Sequence, residues 1–331
     1  MYAYSSTGHY TSAFQTFDLF VVGEAPEATW SEEFNYNGAV DSNTWTHEIG
    51  NGEWGWGNGE FQYYTSSLNN VKVEDGVLKI TAKREDMAGY EYTSARIISR
   101  DKFEFQYGRV DIRAKLPTGG GTWPALWLLG ANFNEVGWPA CGEIDIMEHW
   151  GHDPTVIAGS IHTPMSHGDT WTHGYTTVND YHEEFHIYSI DWDENRIQFF
   201  VDDVLYYTYS PSPQDSDSWP FDQEMFFILN VAMGGHWFDV DPQFNESTME
   251  VDYIRIDIEN KDGSLIRTFT NNKDKHSKIE NNDVNKMVGN PVLSNPNDID
   301  NALSSDNLVS LSTRSGGNRL IWDMRLSLIH I

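Results

Sequence analysis

Arg109-Val110-Asp111-Ile112-Arg113-Ala114-Lys115-Leu116 alternates charged and apolar residues without a break. Successive side chains of an extended chain point to opposite faces, so this octet predicts a strand with Val110, Ile112, Ala114 and Leu116 toward a core. Similar short β-type runs occupy 76–82, 186–192, 196–201, 204–209, 225–232 and 249–256. Turn residues separate many of them, among them Asp193-Glu194-Asn195, Asp202-Asp203 and Gly234-Gly235. No segment carries a helical stripe. The pattern predicts an all-β domain over residues 29–258, a β-sandwich of two stacked antiparallel sheets, with a closed barrel as the structural alternative.

Charge marks a boundary at the end of that domain. The 331 residues hold 21 Lys plus Arg against 50 Asp plus Glu, a formal net charge of −29. Nine of each sign follow Ile258, which leaves 12 basic and 41 acidic residues before it. Residues 259–331 are balanced, rich in Asn and Ser and without sustained periodicity, and read as a linker or truncated appended module. Residues 1–28 read as an N-terminal extension.

So acidic a chain is a poor partner for nucleic acid, whose phosphates demand Lys and Arg, and is repelled by anionic lipid. No run approaches the roughly 18 apolar residues of a membrane span, so no membrane insertion is expected. One cysteine, Cys141, excludes an intrachain disulfide, and no His/Cys spacing resembles a structural zinc site. Residues 1–30 lack a basic start followed by a continuous apolar stretch, so no secretory signal is visible.

The chemistry concentrates in Cys141-Gly142-Glu143-Ile144-Asp145-Ile146-Met147-Glu148-His149-Trp150. Glu143 and Asp145 share one face of a strand, while Ile144 and Ile146 face the core. Glu148 has the wrong parity. A one-residue bulge at Met147 restores it and places three carboxylates together. Crowded like charges raise the pKa of at least one member, which supplies a protonated acid beside an ionised carboxylate. Two glutamates leaning over a short aspartate could approach the ~5–5.5 Å separation of a retaining glycosidase. Aromatic surroundings agree: in Thr122-Trp123-Pro124-Ala125-Leu126-Trp127-Leu128-Leu129, Trp123, Ala125 and Trp127 share a face, and flat rings suit the apolar faces of pyranoses.

Glu143-Ile-Asp-Ile-Met-Glu148, the Trp123-to-Trp127 segment and Trp56-Gly57-Asn58-Gly59-Glu60-Phe61-Gln62-Tyr63-Tyr64-Thr65 together resemble glycoside hydrolase family 16. The extra residue in the acidic motif is similar to the laminarinase (endo-β-1,3-glucanase) branch. The resemblance implies a jelly-roll sandwich with a concave substrate cleft and a configuration-retaining double displacement. It implies Glu143 as nucleophile, Glu148 as general acid/base and Asp145 as the residue that sets their protonation. It further implies sugar contacts from Asn58, Arg96, Trp123, Trp127, His162 and Trp237. A structural Ca2+ on the convex face would be held by backbone carbonyls of Glu33 and Gly76 and by Asp252; catalysis would need no cofactor.

Twelve basic residues are few for a cleft that grips sulfated galactan. The expected substrate is therefore neutral β-1,3-glucan of the laminarin type, with mixed-linkage glucan or a galactan as alternatives within the family. A carbohydrate-binding sandwich without chemistry is the alternative of another class, though binding alone has no need of three crowded carboxylates. A monomer acting outside the cell or at its surface is expected from a polymeric substrate.

Overall fold

The structure is a computed structural model and describes residues 30–170, 172–236 and 238–257, together with two short paired strands, Ala3–Tyr4 and Tyr10–Thr11. Both extensions expected from the sequence, apart from those two strands, and Trp237 lie outside the described residues. The described helical structure amounts to single turns, including one α-helical turn at Phe133–Val136.

Seven antiparallel strands form one sheet: β1 (Thr46–Glu48), β2 (Arg96–Ile98), β3 (Thr122–Gly130), β4 (Glu143–His149), β5 (Val156–His162), β6 (Thr172–Thr177) and β7 (Met225–Met233), in the spatial order β6-β5-β4-β3-β7-β2-β1. A second, ten-stranded sheet contains the opening octet as Gly108–Lys115, paired on one side with His186–Trp192 and on the other with Glu246–Asp257. It is antiparallel except where Gln62–Tyr64 runs parallel to Tyr90–Ser94. The two-sheet sandwich therefore holds, and the closed barrel does not. Val110, Ile112 and Ala114 are fully buried, as their alternation requires, and Leu116 just beyond the strand is 2% exposed.

One apolar cluster joins the sheets. It draws Leu126, Leu128, Ile144, Ile146, Met147 and Phe227 from the first and Val110, Ile112, Ile190, Phe199, Ile254 and Ile256 from the second. Burying each such side chain contributes about 1.5–3 kcal/mol, so the inward parity of β3 and β4 is strongly fixed. A smaller cluster of Ile98, Leu129, Cys141, Phe226 and Ile228 lies apart from it. Cys141 is wholly buried there, and burial followed by the nearby Glu143 charge pushes its thiol up to about 12.

Candidate active site

The bulge expected in the acidic strand is present. Asp145 pairs with Ser160 and Glu148 with Ala158, so Ile146 and Met147 together oppose the single residue Gly159. On the other flank Trp127 faces Asp145 and Leu126 faces Met147. Both bulged side chains are buried in the core, 1% and 0% exposed, which leaves Glu143, Asp145 and Glu148 on the opposite face. Gly159 is needed at this point, because a Cβ there would stand 2.5 Å from both the Phe199 ring and the Tyr206 hydroxyl.

Each carboxylate meets different neighbours. Glu143 accepts a hydrogen bond from the Trp138 indole at 3.0 Å and lies 3.6 Å from His162 Nε2. Asp145, 3% exposed, faces the same Nε2 at 3.2 Å. Glu148, 8% exposed, accepts from the Trp123 indole and from the Ser160 hydroxyl, both at 2.9 Å. Burial and then the charges of Glu143 and Glu148 push Asp145 well above the usual carboxylate range. Burial also raises Glu148, against the opposing His162 charge and the two donated hydrogen bonds. Burial disfavours the His162 imidazolium, but Glu143, Asp145 and Glu148 prevail and hold its pKa at about 10. A positively charged His162 thus stands beside Asp145 and Glu143, while burial favours the protonated forms of Asp145 and Glu148.

Strand register extends the site across the sheet. Glu48, Arg96, Asn230, Ala125, Glu148, Ala158 and Tyr175 form one continuous row of cross-strand partners. On one side of Glu148, Arg96 is paired with Glu48 at 2.5 Å and lies between the rings of Trp56 and Trp127, 4.4 and 4.9 Å from their centroids. Asn58 is brought to this side by the turn Gly55–Gly59, where Trp56 has a left-handed φ of 55°. Gly59 closes that turn because a Cβ would lie 2.7 Å from the His236 ring. On the other side of Glu148 is a cavity of about 440 Å³, lined by Trp150, His152, Asp153, Val156, Tyr175, Thr176 and Thr177.

Glu143, Asp145, Glu148, Trp123 and His162 come together in one cluster, and Asn58, Arg96 and Trp127 adjoin it. His162 is engaged by the acids, a role the expected sugar contact did not include. Four residues that sequence reasoning missed are Trp138, Ser160, Trp56 and Asn230. Ser160 and His162 are two apart on one strand, and that parity was a usable signal; Trp138 sits in a loop with no periodicity to betray it.

Among the described residues, the group of acids and histidine able to share a metal ion is Glu143, Asp145 and His162, with one donor atom of each within 4.8 Å of the others. The positions expected to hold calcium lie elsewhere. Ile254 pairs with Glu32 and Val251 with Leu78, and these registers, continued, set the main chain of Glu33 and of Gly76 along the same edge of the strand carrying Asp252, the edge opposite Gly108–Lys115. One Asp252 oxygen accepts from Arg113 at 2.6 Å, and the Glu33 carboxylate is held by Arg255 at 2.8 and 2.9 Å.

Comparison with known proteins agrees with this geometry. Residues 58–255 match the family Glycosyl hydrolases family 16. The chain is 43% identical to the beta-glucanase of Rhodothermus marinus over 244 residues, covering 70% of this chain and 84% of that one. It is 31% identical to a beta-1,3-glucan-binding protein of Penaeus monodon, over 63% of this chain and 75% of that protein. The crystal structure of laminarinase from Flavobacterium sp. UMI-01 superposes with a TM-score of 0.66 at 44% identity, over 70% of this chain and 99% of the other. A bulged strand of three acids, flanked by indoles on a two-sheet jelly roll, and these matches lead to one assignment: the chain belongs to glycosyl hydrolases family 16, in its laminarinase-like branch.

Proposed function

We propose that the protein hydrolyses internal β-1,3-glucosidic bonds of laminarin-type glucan with retention of configuration. The observation that carries this reading is the split environment of two glutamates on one face of one strand. Glu148, raised by burial yet held in place by Trp123 and Ser160, protonates the departing glycosidic oxygen. Glu143, held by the Trp138 indole and facing the protonated His162, attacks the anomeric carbon. Glu148 then serves as base toward the incoming water, as microscopic reversibility requires. The His162 imidazolium, 3.2 Å from Asp145 and 3.6 Å from Glu143, balances the negative charge on Glu143 while it waits and as it leaves the sugar.

The glucose units on the donor side would meet Asn58, Arg96, Trp56 and Trp127, and the departing portion the cavity at Trp150 and Tyr175. The neutral glucan is favoured over a sulfated galactan because the positive groups beside the acids are already engaged: Arg96 is paired with Glu48, and His162 lies against Asp145 and Glu143. A structural Ca2+ held by the carbonyls of Glu33 and Gly76 and by Asp252 is part of the proposal, since such oxygen donors suit a hard cation and register brings them together. So are a monomeric state and action outside the cell or at its surface.

Incubation with laminarin, mixed-linkage glucan and a sulfated galactan, followed by reducing-sugar assay and product sizing, tests the substrate. Release of mixed oligosaccharides from laminarin is expected; turnover of the galactan alone would overturn it. The relative named as a glucan-binding protein keeps a second reading in view. Glu143→Gln should lower turnover by about 10⁴-fold or more while laminari-oligosaccharide affinity persists. If wild type and variant bind glucan alike and release equally little sugar, the protein is a binding module.

A further inference from the structure

Behind the donor-side wall lies a buried carboxylate with no part in the chemistry above. Glu60 is 7% exposed. Three side chains donate to it: Asn58 Nδ2 to Oε1 at 3.2 Å, Gln62 Nε2 to Oε2 at 2.6 Å, and the Tyr64 hydroxyl to Oε2 at 3.2 Å. The chain of bonds continues outward. Tyr64 accepts from Asn230 Nδ2 at 3.1 Å, and Asn230 Oδ1 accepts the Trp127 indole N–H at 2.8 Å. Gln62, whose amide nitrogen is committed to Glu60, uses its oxygen to accept the main-chain N–H of Met233 at 2.7 Å. That bond ties the turn to the strand β7 carrying Asn230.

All three groups around Glu60 are donors, so the carboxylate is their common acceptor and orients every one of them. Turning the Asn58 or Gln62 amide would set its oxygen against a carboxylate oxygen, and turning Asn230 would set its N–H₂ against the Trp127 N–H. The network therefore has one arrangement, and its two ends are the Asn58 amide and the Trp127 ring. Trp127 is the cross-strand partner of Asp145 and one of the two rings enclosing Arg96. Burying an acid here costs free energy that an apolar residue would avoid, which is hard to account for by stability alone.

From this arrangement we infer that Glu60 is a positioning residue for the donor-side sugar wall: it fixes the Asn58 side chain directly and the Trp127 ring through Tyr64 and Asn230. It acts on substrate affinity and leaves the reacting bond to Glu143 and Glu148. The inference rests on the hydrolase reading but not on the identity of the polymer.

The test compares wild type, Glu60→Gln and Tyr64→Phe on whichever of laminarin, mixed-linkage glucan or galactan the wild type cleaves. Glutamine presents an N–H₂ to at least one existing donor, and phenylalanine removes the single oxygen that joins Asn230 to Glu60. Both variants should raise KM, Glu60→Gln by about tenfold and Tyr64→Phe by less, with kcat within about threefold of wild type. The conservative pair matters because a network that only stabilised the fold would lower Tm and leave KM alone. An unchanged KM in Tyr64→Phe, or a fall in kcat at unchanged KM, overturns the inference even if Glu60→Gln fails to fold. Failure of the wild type on laminarin counts against the proposed substrate and leaves this comparison to be made on the polymer it does cleave.

Discussion

Glu148 accepts from Ser160 and Trp123 while burial pulls its pKa upward, so each donor restrains the acid from becoming too weak. Ser160→Ala removes one donor and favours the protonated form. The alkaline limb of kcat/KM should therefore move upward by about one to two pH units, since a hydrogen bond to a charged group is worth about 1.5–3 kcal/mol. A downward shift in the pH profile would contradict the assignment of Glu148 as the acid. His162 makes a separate expectation. Its pKa of about 10 in the fold, against an ordinary 6.5, means that the folded protein binds this proton more tightly than the unfolded chain. The resulting stability is complete below about pH 6.5 and is lost as pH rises through about 10. Melting curves across that window should fall for wild type and be flatter for His162→Gln. At this scale the three acids were legible because parity and one extra residue constrain them. Trp138 was not, because a loop side chain reaches Glu143 through a path that no local period records.

The bulge on β4 belongs to the element. It lets Ile146 and Met147 both enter the core while Glu148 returns to the outer face. Deleting Met147 leaves Glu-Ile-Asp-Ile-Glu, which alternates regularly and needs no bulge; Glu143 and Glu148 already pair with His162 and Ala158, four positions apart, so the acids keep their face and spacing along the strand but lose the bend and extra twist with which the bulge aims Glu148. The deletion should fold, with a lower Tm from the lost core side chain. Its kcat on laminarin should drop by about 100-fold or more, since ångström-scale misplacement of a catalytic group costs that much. Unaltered kcat would show that the extra residue has no bearing on the chemistry. Strand legibility followed the same logic of parity. Gly108–Lys115 and His186–Trp192 alternate and fell within a residue of their expected limits. Thr46–Glu48, Arg96–Ile98 and Thr172–Thr177 were invisible to periodicity, the first two for shortness and the last because it is a polar edge strand.

For the molecule as a whole, the described core lies within residues 29–258, the span that the sequence assigns to one domain. The buried apolar residues of the two clusters run from Phe34 to Ile256, and every described residue of the cleft lies between them. No described contact of Glu143, Asp145, Glu148 or His162 reaches outside that span. A chain of residues 30–257 should therefore fold by itself, melt within a few degrees of the full protein and retain kcat/KM on laminarin to within about twofold. Calorimetry and reducing-sugar kinetics on the two chains decide this. If the shorter chain folds but its KM on the polymer rises steeply while that on laminari-oligosaccharides does not, the flanking residues bind glucan away from the reacting bond. If it fails to fold, the stability of the sandwich depends on chain beyond its own core, and the domain boundary at residue 258 is misplaced.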